Sequence, residues 1–148
     1  MSARALLPPS GGDAAPLSAV LADGQPLDLV VLATEICRRY REEFPDEEQR
    51  YAAAGNAWCV HDNQHLLSWA VEAVNDESDM RDDVAWLASV LESRGFPVER
   101  LARNLDLAGD LAGERIAGQG SDRVSGVLRD AAEFVRSYGS FRDWVLVT

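Results

Sequence analysis

The chain has 148 residues and a net charge of -11, with 25 acidic residues against 14 basic ones, all of them arginine. One domain of this length can bury a sizeable core, and 47% hydrophobic with 26% charged residues is ordinary for a globular protein. So acidic a surface repels phosphate backbones and anionic lipid, which excludes nucleic acid and membrane surfaces as expected partners.

The N-terminal stretch is rich in Pro, Gly, Ala and Ser, as in Pro8-Pro9-Ser10-Gly11-Gly12, with one short apolar run from Leu17 to Leu21. Residues 1–26 are expected to form a flexible arm in which that run makes one helical turn. No apolar run is long enough to span a bilayer, and the N-terminus lacks the charged-then-apolar order of a secretory signal, so the cytoplasm is the expected location.

Helical patterning begins at Asp28, which can cap a helix carrying Leu29, Ala33, Ile36, Cys37, Tyr40 and Phe44 at steps of three and four. Pro45 ends it. Asp46 and Gln49 have capping-box spacing, and the helix they start is expected to run to about Asn75 with a weak point at Gly55. Ser78 is the expected cap of a third helix with Met80, Val84, Trp86, Leu87, Val90 and Leu91, stopped by Gly95 and Pro97. A fourth helix uses Val98, Leu101, Leu105, Ala108 and Leu111 and fades at Gly113, leaving a loop to Gly120. Ser121 starts a fifth, with Val124, Leu128, Ala131, Val135 and Tyr138 on one side, and Gly139 ends it. Phe141 and Trp144 then form an exposed-looking aromatic pair in a short tail. No segment shows sustained strand alternation, so residues 27–148 are expected to be all-α.

The second helix carries most of the chemistry. Steps of three and four align Trp58, Asp62, His65 and Trp69, with Cys59 and Leu66 beside them, and the two indoles mark that stripe as the inward one. A carboxylate and an imidazole placed inward must find partners, since an uncompensated buried charge costs several kcal/mol. They either pair with each other across one turn or line a ligand pocket walled by the indoles. His61 and His65 also have the i,i+4 spacing of a zincin helix, but no third histidine exists, and His61 points towards a more polar flank. Cys37 and Cys59 lie on different predicted helices and do not make a disulfide framework; both read as buried thiols.

The run Cys59-Val60-His61-Asp62, followed by Leu66-Leu67, Trp69, the turn Asn75-Asp76-Glu77-Ser78 and Leu91 to Pro97, resembles the chromophore-bearing segment of the phycobiliproteins, which share the globin fold. The resemblance covers roughly Tyr51 to Leu111. It implies a single globin-like domain of about five to seven helices that binds a tetrapyrrole without catalysing a reaction. In a bilin protein Cys59 would carry the thioether and Asp62 would accept from pyrrole N–H groups; in a haem protein His65 or His61 would be the axial ligand. Two propionate-anchoring arginines of that family are His61 and Ser68 here, leaving Arg50, Arg94 or Arg100 for the task. The site expected on these grounds is Trp58, Cys59, His61, Asp62, His65 and Trp69, with bilin or haem as cofactor. The alternatives are a cofactor-free accessory protein acting through a homo-oligomer or protein partner, and a small enzyme using Asp62 and His65 as an acid–base or metal site.

Overall fold

The computed structural model describes residues 14–142, with the side chains of residues 48–54 outside the description. It is mostly helical, with the order β1 (Ser18–Val20), β2 (Pro26–Asp28), α1 (Leu29–Glu43), α2 (Asp46–Val74), α3 (Met80–Ser93), α4 (Val98–Arg115) and α5 (Gln119–Tyr138). No helix among the described residues is long and apolar enough to cross a membrane. Contacts divide the chain into two compact units, 1–68 and 69–148, and the division falls inside α2.

In the first unit, the apolar run expected to form a helical turn is instead strand β1, paired antiparallel with β2 in the register Ser18 to Asp28, Ala19 to Leu27 and Val20 to Pro26. Strand alternation is invisible over three residues, which is why periodicity alone misses it. Gly24, at a φ of 92°, lets the chain reverse between the strands, and Leu21 and Leu27 are buried while Leu17 and Val20 stay exposed. Asp28 then caps α1 as expected, its carboxylate accepting from the amides of Val30 and Val31. Leu29, Leu32, Ala33, Ile36, Cys37 and Tyr40 form the buried stripe of α1. On its solvated side Arg38 binds Glu35 and Glu42, and the hydrogen bond from Arg38 holds the Glu35 carboxyl down at about 2.

α1 and the first part of α2 form an antiparallel hairpin turning at Pro45. Among the links that join it, the Tyr40 hydroxyl donates to Glu47 at 2.5 Å, Arg41 donates to Asn56, and Cys37 is disulfide-bonded to Cys59. The cross-link corrects the expectation of two buried thiols. The helices lie face to face, with the two cysteine Cα atoms 6.0 Å apart, a distance that cysteine count and spacing along the chain do not reveal. Gly55 lies within continuous α2 and breaks nothing. The expected capping box involves Gln49, whose side chain lies outside the described residues.

In the second unit α4 and α5 pack antiparallel. Arg129 binds Asp110 at 2.6 Å, Arg136 binds Asp106 at 2.7 Å, and the Ser121 hydroxyl donates to the carbonyl of Gly113 at 3.0 Å. A methyl group at Gly109 would meet the Arg129 side chain at 3.1 Å, so a small residue lets the helices approach there. Helix α4 runs through Gly113 to Arg115, past the expected break, and α5 starts at Gln119 after the Gly118 cap. The loop is shorter than expected because both helix ends are packed, and packing outweighs the intrinsic cost of one glycine. The cap of α3 is Asp79 rather than Ser78, its carboxylate accepting from the Arg81 amide at 2.9 Å.

The tail departs most from expectation. Phe141 is fully buried, stacked on Tyr138 at 4.6 Å and edge-on to Phe134 at 5.6 Å. Glu92 fixes it there, accepting from the Phe141 amide at 2.7 Å and the Ser140 hydroxyl at 2.8 Å, with Arg142 at 3.4 Å. An aromatic just beyond a helix-ending glycine reads as exposed because the sequence cannot show the chain folding back at Gly139, where φ is 87°. Trp144 lies outside the described residues.

Two measurements check this account. The disulfide joins residues 22 apart, so loop-closure entropy assigns it about 3 kcal/mol. Cys37→Ser is therefore expected to lower the unfolding free energy of the first unit by about that amount in guanidinium titrations, and an unchanged midpoint would contradict the cross-link. For the tail, the amide of Phe141, then Ser140 and Arg142, hold the Glu92 carboxyl below its ordinary 4.5. A depressed carboxyl contributes stability above its unfolded value and loses it as pH falls through the folded one. Glu92→Gln should cost about 1–2 kcal/mol at neutral pH and progressively less below 4.5, followed by thermal unfolding.

Candidate functional site

Cys59 faces α1, which fixes the rotation of α2. Beyond Cys59, the buried residues of α2 are Asn63, Gln64, Leu66, Leu67, Ala70 and Val71, centred on the side that carries Cys59. At about 100° per residue, the stripe Trp58, Asp62, His65 and Trp69 lies roughly 140° away, on the reverse of the helix. The expectation that the indoles mark the inward face is thereby corrected: Trp58, Asp62, His65 and Trp69 are all partly exposed. The tryptophans mislead because an indole, though well covered on average, is large and rarely fully buried.

The reverse face is nonetheless well shielded. The side chains of His61 and Asp62 are only 18% and 17% exposed, so His61, expected on a polar flank, is as covered as its neighbour. The Trp58 ring meets the His61 ring edge-on at 5.7 Å, and His61 meets His65 at 4.7 Å and 63°. Trp58, His61, Asp62 and His65 therefore form one cluster within the first unit. Trp69 is the first residue of the second unit and is described there alone.

Within the cluster His61 Nδ1 lies 3.3 Å from Asp62 Oδ1. An ionised carboxylate only accepts, so this contact places the ring hydrogen on Nδ1 when the imidazole is neutral, and Nε2 is left as a bare lone pair. Nε2 is buried and has no hydrogen-bond partner, the one such side-chain nitrogen or oxygen among the described residues. Leaving a buried polar atom unmatched costs about 1–3 kcal/mol. An imidazole held by a carboxylate at Nδ1 has the geometry in which Nε2 can act as a lone-pair donor. Among the described residues no group of three or more His, Cys, Asp or Glu is disposed to hold a metal ion. A simple zinc site on His61 and His65 therefore has no third protein ligand there, whereas a macrocycle that brings four nitrogens of its own needs one imidazole.

Cys59 lies one turn before Asp62 on the side of α2 that meets α1, and its sulfur is engaged with Cys37. While that bond stands, Cys59 cannot form a thioether. Sequence reasoning missed Asn63, which is 1% exposed, donates to the Cys59 carbonyl at 3.0 Å, and brings the same Nδ2 within 3.5 Å of both sulfurs. The i,i+4 spacing of Cys59 and Asn63 carried that signal. Gln64, also buried, donates to the Pro16 carbonyl at 2.9 Å and anchors the segment leading into β1.

A separate acidic group lies in the second unit. Burial, and then the charges of Glu72, Asp82 and Asp79, raise the Asp83 carboxyl from 3.8 to about 6. A raised carboxyl loses stability as pH rises from the unfolded value through the folded one. Asp83→Asn is expected to raise the melting temperature above pH 6 and to leave it unchanged below 3.8; equal gains at both ends would contradict the shift.

Searches for similar proteins return nothing for this chain: no family model, no curated protein and no solved structure matches it.

Proposed function

We propose that this protein is a non-catalytic binder of a tetrapyrrole, seated on the Trp58, His61, Asp62 and His65 face of α2 within a globin-like helical fold. The observation that carries the reading is the buried, unpartnered Nε2 of His61, backed at Nδ1 by Asp62. Haem fits this atom best. An iron centre accepts its lone pair, and the neutral, carboxylate-backed imidazole is the form that donates it. Trp58 and His65 offer flat rings against which a macrocycle can pack. A bilin is the second candidate for the same face, with pyrrole N–H groups donating to Nε2 or to Asp62 and no covalent bond to Cys59 while the disulfide stands.

A cofactor-free interaction protein is the competing reading. Exposed apolar side chains at Leu17, Val20 and Val31 favour it. The Phe141 half of the aromatic tail does not, because that ring is buried.

Titration with haemin and, separately, biliverdin distinguishes these readings by absorption spectroscopy. The expected result is a saturable shift with haemin that His61→Ala abolishes and Asp62→Ala weakens about tenfold to a hundredfold. Cys59→Ser should leave it in place. Spectra equal to the sum of free pigment and free protein, for both pigments, would contradict the proposal and leave the interaction reading standing.

A further inference from the structure

We propose that Cys37 and Cys59 are a reversible thiol–disulfide centre, in which Cys59 is the sulfur that exchanges with external thiols and Asn63 holds the charge that exchange creates. The two ends of the bond differ in access: Cys37 is completely buried in the stripe of α1, whereas Cys59 is partly exposed on α2. An incoming thiolate therefore reaches Cys59 first.

Asn63 supplies the second, independent observation. Its amide carries two hydrogens on Nδ2. One reaches the Cys59 carbonyl at 3.0 Å, and the same nitrogen lies 3.5 Å from each of the two sulfurs. A disulfide sulfur is a weak acceptor and a thiolate a strong one, so this fixed, buried donor does little in the oxidised form and much more once the bond opens. Because it touches both sulfurs, it serves the leaving sulfur and the attacked one alike.

The exchange balances with a thiol as co-reactant. The external thiolate attacks Cys59 Sγ, forming a new S–S bond as the Cys37–Cys59 bond breaks. Its electron pair goes to Cys37 Sγ, which takes up a proton. A second external thiol then attacks the external sulfur of the mixed disulfide and releases Cys59 as a thiolate. The protein gains two electrons and two thiols, and two external thiols become one disulfide. The structural consequence is that the covalent link between α1 and α2 opens, while contacts such as Tyr40–Glu47 and Arg41–Asn56 still join the two helices. The centre is independent of any ligand on the reverse face of α2.

The test uses the full-length protein without denaturant. It is treated with excess dithiothreitol, pulsed with iodoacetamide at short intervals and mapped by peptide mass spectrometry, with circular dichroism recorded throughout. The expected result is reduction while the helical signal persists, with label on Cys59 accumulating about tenfold faster than on Cys37. Asn63→Asp, which removes the donor and adds a like charge, should slow the appearance of Cys59 label roughly three- to tenfold. Reduction only after the helical signal is lost, or equal or faster labelling of Cys37, overturns the proposal. If Asn63→Asp does not fold, the wild-type labelling order decides alone.

Discussion

The Cys37–Cys59 bond, with the Asn63 amide laid against it, determines which way α2 faces. A helix 29 residues long with apolar side chains all round could bury several different stripes. Pinning Cys59 to the buried side of α1 selects one of them. Asn63, Leu66, Leu67 and Ala70 then follow at steps of three and four, and Trp58, His61 and His65 are turned to the reverse. The chemistry of this chain therefore divides around α2: sulfur and amide towards α1, imidazoles and indole away from it, and the Asp62 carboxylate on the flank between.

That division explains why Cys59 and His61, two residues apart, do not work together. At about 100° per residue they diverge by roughly 160°. A linear tetrapyrrole held by a thioether at Cys59 would need a free thiol there, and in the oxidised hairpin that sulfur is bonded to Cys37. A ligand bound through His61 needs no such agreement. The unmatched Nε2 is a local cost that the fold tolerates, and costs of that kind concentrate where something is to be bound.

Much of the helical framework was legible from periodicity and punctuation. Asp28 as a cap, Pro45 as a break, and Gly95 and Gly139 as stops all act through local backbone chemistry, so each can be read without knowing the fold. What escaped the sequence depends on contacts between distant residues. Phe141 is buried with its amide bound by Glu92, nearly fifty positions earlier. The disulfide exists only because α1 and α2 form a hairpin. Strand β1 consists of three residues and is recognisable only beside β2. In the candidate site the residue list was legible, since two histidines, an aspartate and a tryptophan at helical spacing are conspicuous. Their orientation was not, because two tryptophans on one stripe outweighed the quieter buried series through Asn63 and Leu67.

Asp62 holds the His61 ring with its hydrogen on Nδ1, so that Nε2 presents a lone pair. Nitrogen-15 NMR of the imidazole side chains, recorded at a pH where the rings are neutral and assigned with His65→Gln, reads this directly. The expected spectrum shows a protonated Nδ1 and an unprotonated Nε2 at His61, with the preference lost in Asp62→Ala. A hydrogen found on Nε2 in the wild-type protein would contradict it.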